Sequence, residues 1–205
     1  MLSFITVIRK SEQKTTAWSG GTTTELALHP PGSAYIKRNF SWRLSSATVE
    51  AAESTFTPLP GIRRTLLLLS GEMELEHAGQ HTVRLLPFEQ DSFQGDWQTT
   101  SRGVASDFNL MLGGTADGNL TVLSVTSNAA ISAIVAAHRQ YPLTTTGFYC
   151  VDGSVGISAN HTDTWLLTAG DLLLVRLPAG APETVLQFKT KQPLLHLIRA
   201  ELWHT

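Results

Sequence analysis

Apolar and polar residues alternate along most of this chain, in short runs set off by Gly, Pro, Asn and Ser. A period of two marks half-buried β-strands, and short strands with frequent turn signals favour a sandwich or barrel. The pattern predicts strands at 24–29, 42–49, 65–69, 73–77, 82–86, 107–112, 119–125, 147–151, 155–159, 164–168, 172–177, 184–188 and 194–200. The start, MLSFITVIRKSEQK, reads as a further strand. One stretch breaks the pattern. NAAISAIVAAHRQ (128–140) is alanine-rich with Ile131, Ile134 and Val135 at helical spacing, and is expected to be a helix or an irregular connector.

Two stretches resemble each other. LLLLSGEMELEHAGQHTVRLL begins at Leu66 and FYCVDGSVGISANHTDTWLLTAGDLLLV at Phe148. Aligning Gly71 with Gly153 sets Leu75 over Ile157 and Val83 over Trp165. Each copy reads as an apolar strand, a glycine corner, an alternating strand, a hairpin and another strand. The second copy continues as AGDLLLVRLPAGAPE, similar to the cupin pattern of GD before a strand followed by P-x-G-x-x-H, with Glu183 in the histidine's place. The expectation is an all-β chain, a double-stranded β-helix duplicated as a bicupin. Residues 1–125 form a first cupin-like barrel and 126–205 a second, with strands exchanged between the halves.

Composition narrows the class. With 42% hydrophobic and 16% charged residues the chain can build a core, and a net charge of −2 leaves no basic footprint for nucleic acid. No apolar run approaches the roughly 20 residues of a membrane helix, and the start lacks the marks of a signal peptide. The single cysteine, Cys150, forms no internal disulfide framework and suits a reducing compartment. A cytoplasmic protein is expected, with a homodimer as one option for its assembly.

Familiar catalytic and metal patterns are missing. There is no G-x-S-x-G elbow, no phosphate-binding loop and no His-x-His pair. His77 and His81 are expected on opposite arms of a hairpin around Gly79, without partners. His161 falls in a turn, His29 ends a strand, His138 lies in the connector, and His196 and His204 are near the C-terminus. These spacings point to no metal, no cofactor and no catalytic residue.

The informative stretches are WSGGTTTEL (18–26), FSWRLSSATV (40–49) and FQGDWQTTSRGVASDFNLM (93–111). Alternation puts Phe40, Trp42 and Leu44 on one face of a strand, and Arg43 and Ser45 on the other. In the third stretch Asp107, Asn109 and Met111 share a face. A methionine closing a polar row suits a semi-polar interior better than water. A buried guanidinium without a partner costs several kcal/mol, roughly, so an inward Arg43 demands a carboxylate or an anionic ligand. Asp107 or Glu25 could supply the carboxylate. A buried Arg–Asp pair that only fixes strand register satisfies the same spacing.

Taken with FTPLPGIRRTLLLLSGEMELE (56–76), these stretches resemble the HutD/Ves family of bicupin proteins. The resemblance rests on Trp18, Gly20, Gly21 and Glu25; on Phe40, Trp42, Arg43, Ser45, Ala47 and Val49; on Phe56, Pro60, Gly61 and Arg64; on Phe93, Gly95 and Asp96; and on Asp107, Phe108, Asn109 and Met111. Two departures stand out. The family's arginine before the glutamate is Thr24 here, and a basic pair after the last motif is replaced by Gly113 and Gly114. What the resemblance implies is a metal-free sensor or governor associated with histidine utilisation or stress response. Its partner would be a small organic acid, urocanate or a related carboxylate, with neither nucleic acid nor membrane involved.

On that reading Arg43 holds the carboxylate with help from Ser45, and Asn109 and Thr24 add neutral hydrogen bonds. Phe93 and Met111 shape or flank the pocket, while Trp42, opposite Arg43 on its strand, packs beneath it; Asp107 and Glu25 orient Arg43, and Gly95 and Asp96 line the mouth or cap a turn. The alternatives are a metal-free cupin isomerase, lyase or hydrolase with Asp107 or Glu25 as base, and a structural or interaction module.

Overall fold

The structure is a computed structural model that describes residues 4–159 and 163–205, and among them there is no α-helix. His161 lies outside the described residues. Among the described residues no helix is long and apolar enough to cross a membrane. The chain divides into two compact units, one made of Gln13–Ala116 and one that joins the N-terminal strand to Asp117–Thr205.

Strand β1 (Phe4–Ile8) belongs to the second unit, where it pairs with Leu172–Pro178. The first unit holds β2 (Lys14–Trp18), β3 (Gly21–His29), β4 (Trp42–Val49), β5 (Glu53–Thr55), β6 (Ile62–Gly71), β7 (Met73–His77), β8 (His81–Leu85), β9 (Gln90–Gln94), β10 (Thr99–Arg102) and β11 (Ala105–Gly113). These form a six-stranded sheet, β2-β3-β4-β11-β6-β9, and a four-stranded sheet, β5-β10-β7-β8. All their pairings are antiparallel.

The second unit holds β12 (Asp117–Val125), β13 (Ile131–Val135), β14 (Leu143–Cys150), β15 (Ser154–Ala159), β16 (Asp163–Thr168), β17 (Leu172–Pro178), β18 (Thr184–Lys189) and β19 (Leu195–His204). Its sheets run β1-β17-β14-β19-β12 and β13-β18-β15-β16. Adding eight to each label converts β4-β11-β6-β9 into β12-β19-β14-β17, and β5-β10-β7-β8 into β13-β18-β15-β16. The chain is therefore a duplication, in the register that Gly71 and Gly153 suggest. Leu75 pairs with Val83 in one copy, and Ile157 with Trp165 in the other. Both glycines sit at positive φ, 81° and 58°, at the corner where a Cβ would be strained.

Two sequence expectations need correction. The stretch 128–140 contains strand β13, paired along its length with β18, rather than a helix. Its alternate residues Ala133 and Val135 enter the apolar core, and burial outweighs the helical propensity of alanine. Residues 117–125 belong to the second unit, because β12 pairs with β19 over nine residue pairs. Each unit is made of two antiparallel sheets, the sandwich form of the expected double-stranded β-helix.

The two interiors differ. In the second unit Phe148, Cys150, Leu173, Val175 and Leu197 from one sheet meet Val155, Ile157, Leu186 and Phe188 from the other in a continuous apolar core. The first unit has an apolar cluster around Leu66, Leu68, Met73, Leu75 and Phe93, and another around Phe40, Leu59, Ile62 and Met111. Buried polar residues share its inner sheet face with both.

Candidate functional site

Cross-strand register assembles that polar face. One row across the six-stranded sheet reads Leu28, Arg43, Met111, Arg64 and Phe93. The next reads Glu25, Ser45, Asn109, Leu66 and Asp91, and the third places Ala47, Asp107 and Leu68 side by side. Two bulges make these rows possible. A register shift between Glu25 and Ala27 lets Glu25 and Leu28, three residues apart, share one face. A second shift, opposite Ser106 and Asp107, adjusts β6 beside Asp107.

Arg43, Ser45, Asp107, Asn109 and Met111 are all buried. Arg43 donates from Nε to Glu25 Oε2 (2.9 Å) and from Nη1 to Ser45 Oγ (2.9 Å), and Nη1 lies 3.9 Å from Met111 Sδ. The guanidinium stacks 4.6 Å from the Tyr35 ring centre. Glu25, not Asp107, is thus the carboxylate that orients Arg43.

Arg64 is the residue that sequence reasoning left out of the site. Its guanidinium lies over the rings of Phe56 and Phe93, 4.8 and 5.0 Å from their centres, and its Nε–H has no acceptor among the described residues. Burial pulls its pKa down to about 10. Tyr35 and Asp107 resist that shift, while Arg43 reinforces it. A signal was present: Arg64 has the parity of Ile62, Leu66 and Leu68, all buried, whereas Arg63 is exposed.

Asp107 is 3% exposed, and burial pushes its carboxyl up to about 7 against the attraction of Arg64. Asp107 Oδ1 and Asn109 Oδ1, like Arg64 Nε, are buried without a hydrogen-bond partner among the described residues. Native interiors leave few such atoms, so three along one sheet face call for an explanation. Arg43 and Arg64 flank Met111 on the two neighbouring strands, about 10 Å apart at two strand spacings. Such an arrangement can receive an anion on a guanidinium and a hydrogen-bond donor on Asp107 or Asn109.

Other expected site residues stand elsewhere. Thr24 pairs with Ser46 on the opposite sheet face, and its hydroxyl bonds Thr15 at an exposed position. Trp42 is on that face as strand alternation expects, buried and stacked on His29. Gly95 serves packing: a Cβ there would stand 2.6 Å from the Leu59 carbonyl oxygen and 2.8 Å from that of Ile62. Asp96 is exposed in the following turn. Cys150 is buried, and its thiol is pushed up to about 12 by burial and nearby carboxylates, which makes it a poor nucleophile. In the second unit Arg199 carries its own counter-ion, Glu201, at 2.7 Å.

The histidine expectation also changes. His77 and His81 are a cross-strand pair flanking the β7–β8 turn, and Asp91 of β9 joins them. Opposite arms of a hairpin in register are neighbours on one face.

Comparison with known proteins places this architecture. A conserved protein of unknown function, PA5104 from Pseudomonas aeruginosa PAO1, superposes with a TM-score of 0.81 at 22% identity, over 97% of this chain and 98% of that one. HutD from Pseudomonas fluorescens SBW25 gives 0.68 at 22% identity, over 96% and 98%. The Escherichia coli pirin YhhW, solved with nickel(II), gives 0.70 at 10% identity, over 98% and 100%. These likenesses establish a cupin-type fold. The HutD family model matches residues 10–195, nearly the whole chain, and the chain therefore belongs to the HutD family.

Proposed function

We propose that this protein binds a small organic acid on the polar inner face of its first unit and reports its level without turning it over. The observation that carries this reading is Arg64. It is a buried cation whose Nε–H has no acceptor among the described residues, beside a carboxyl that burial holds at about 7. A buried charge lacking a firm counter-ion costs several kcal/mol, roughly, and a ligand carboxylate would remove that cost through charge-assisted hydrogen bonds.

The surroundings suggest which acid. Asp107 Oδ1 and Asn109 Oδ1 ask for a donor, so the ligand should carry an N–H or O–H besides its carboxylate. Phe56 and Phe93 offer flat walls beside Arg64. Urocanate, a planar acid with a ring N–H, combines these features, and formiminoglutamate and histidine meet part of them.

Calorimetry with urocanate, histidine, formiminoglutamate, formylglutamate and formate tests the proposal. A binder should stabilise the fold by about 2.7 kcal/mol at a hundredfold excess over its Kd. It should lose most of its affinity in Arg64→Met and in Arg43→Ala. No saturable binder in the set, or one indifferent to both changes, refutes it.

Asp107 supports a second reading. A carboxyl near pH 7 facing a guanidinium is suited to general acid–base work. An enzyme acting on the same acids would give product on incubation and lose it in Asp107→Asn; recovery of unchanged acid favours the sensor.

A further inference from the structure

We propose that His77, His81 and Asp91 bind one divalent transition-metal ion of the Zn2+ type, at a site separate from the carboxylate-binding residues. Paired across the β7–β8 hairpin, the two imidazoles stack with ring centres 4.7 Å apart. Asp91 comes from the other sheet of the same unit. Its Oδ2 lies 2.9 Å from His77 Nε2 and 3.1 Å from His81 Nε2, with Oδ1 3.2 Å from the latter. The three candidate ligand atoms all lie within 4.8 Å of one another.

These separations match the chemistry of a small ion. Ligands about 2.0 Å from a tetrahedral Zn2+ stand about 3.3 Å apart, so a slight opening of the cluster admits the ion. Two imidazoles with one carboxylate suit Zn2+, Co2+, Ni2+ or Fe2+ rather than Mg2+ or Ca2+. Such a set also leaves a coordination position for water or substrate. His81, with 39% of its side chain exposed, provides the entry path, while His77 is fully buried and Asp91 16% exposed.

A second layer holds the ligands in place. Thr99 Oγ1 lies 2.8 Å from His77 Nδ1, which fixes that ring and aims Nε2 at the cluster. Phe93 and Trp97 pack on His77 at 4.5 and 5.6 Å between ring centres, and Trp97 meets His81 edge-on at 5.9 Å. Phe93 lies against both His77 and Arg64, but the two sites share no ligating atom.

Chelator-stripped full-length protein titrated with Zn2+ in a calorimeter, and with Co2+ followed by visible absorption, tests the site. The expected result is one ion per chain, with ligand-field bands of four-coordinate Co2+. His81→Ala, at an accessible position, and the near-isosteric Asp91→Asn should each weaken Zn2+ by more than about tenfold, with thermal unfolding confirming that both variants fold. Absence of stoichiometric binding, or full binding in either variant, overturns the proposal and leaves a hydrogen-bonded His–Asp–His cluster. Because Arg43 and Arg64 are intact in these variants, failure here is distinct from failure of the carboxylate reading.

Discussion

Replacing Arg64 by methionine separates a binding role from a structural one. Burial pulls the guanidinium pKa well below the usual arginine range, to about 10. At 1.36 kcal/mol per pH unit the charged form is disfavoured in place by about 3 kcal/mol relative to water. Below pH 10 the arginine is charged both folded and unfolded, so this cost is present throughout the neutral range. Methionine fills similar length and keeps sulfur–aromatic contact with Phe56 and Phe93, while the cation–ring attraction of about 0.5–1 kcal/mol per ring is lost. The balance is a gain of about 1–2 kcal/mol, or a Tm rise of about 2–8 °C for a chain of this size. Thermal unfolding with and without the best binder measures both sides. The expected outcome is a more stable protein whose Tm no longer responds to the acid, since residues kept for binding are often costly to stability. Arg63→Met, at an exposed position on the opposite sheet face, should leave the response intact. A less stable Arg64→Met protein would mean that the charge is already balanced within the fold, and the reasoning would fail.

Asp107→Asn should change how stability depends on pH. With its carboxyl raised from 3.8 to about 7, the folded state keeps a proton that the unfolded chain releases, so this group's contribution is full below about pH 4 and declines as pH rises through 7. Urea titrations from pH 4 to 8 should show the variant gaining on the parent by up to about 4 kcal/mol across that range; parallel profiles would contradict the shift. Leu75→Ala and Ile157→Ala, equivalent positions in the two copies and almost fully buried, should each cost about 2–5 kcal/mol in chemical denaturation. Values under 1 kcal/mol would speak against the cores described.

How far local pattern reaches is clear from individual residues. Strand alternation requires only one strand to be known, so it placed Arg43 with Ser45, and Asp107 with Asn109 and Met111, on shared faces. The predicted 42–49 and 73–77 match β4 and β7 residue for residue. Weakly apolar strands were lost: β2 (Lys14–Trp18) is exposed throughout, and β5 (Glu53–Thr55) and β10 (Thr99–Arg102) are short and polar, so pairing holds them rather than hydrophobic pattern.

The chain by itself determined an all-β protein, its duplication in the register of Gly71 and Gly153, and the inward-facing row of β11. Tertiary structure decided that Glu25 rather than Asp107 holds Arg43, because a bulge near Leu26 changes which side chains share a face. It also decided that Arg64 joins the site and that Asp91 reaches His77 and His81. The physical reason is one of range. Side-chain alternation is a property of a single strand, whereas register shifts and contacts between facing sheets arise only when segments distant in sequence pair and bury their faces together.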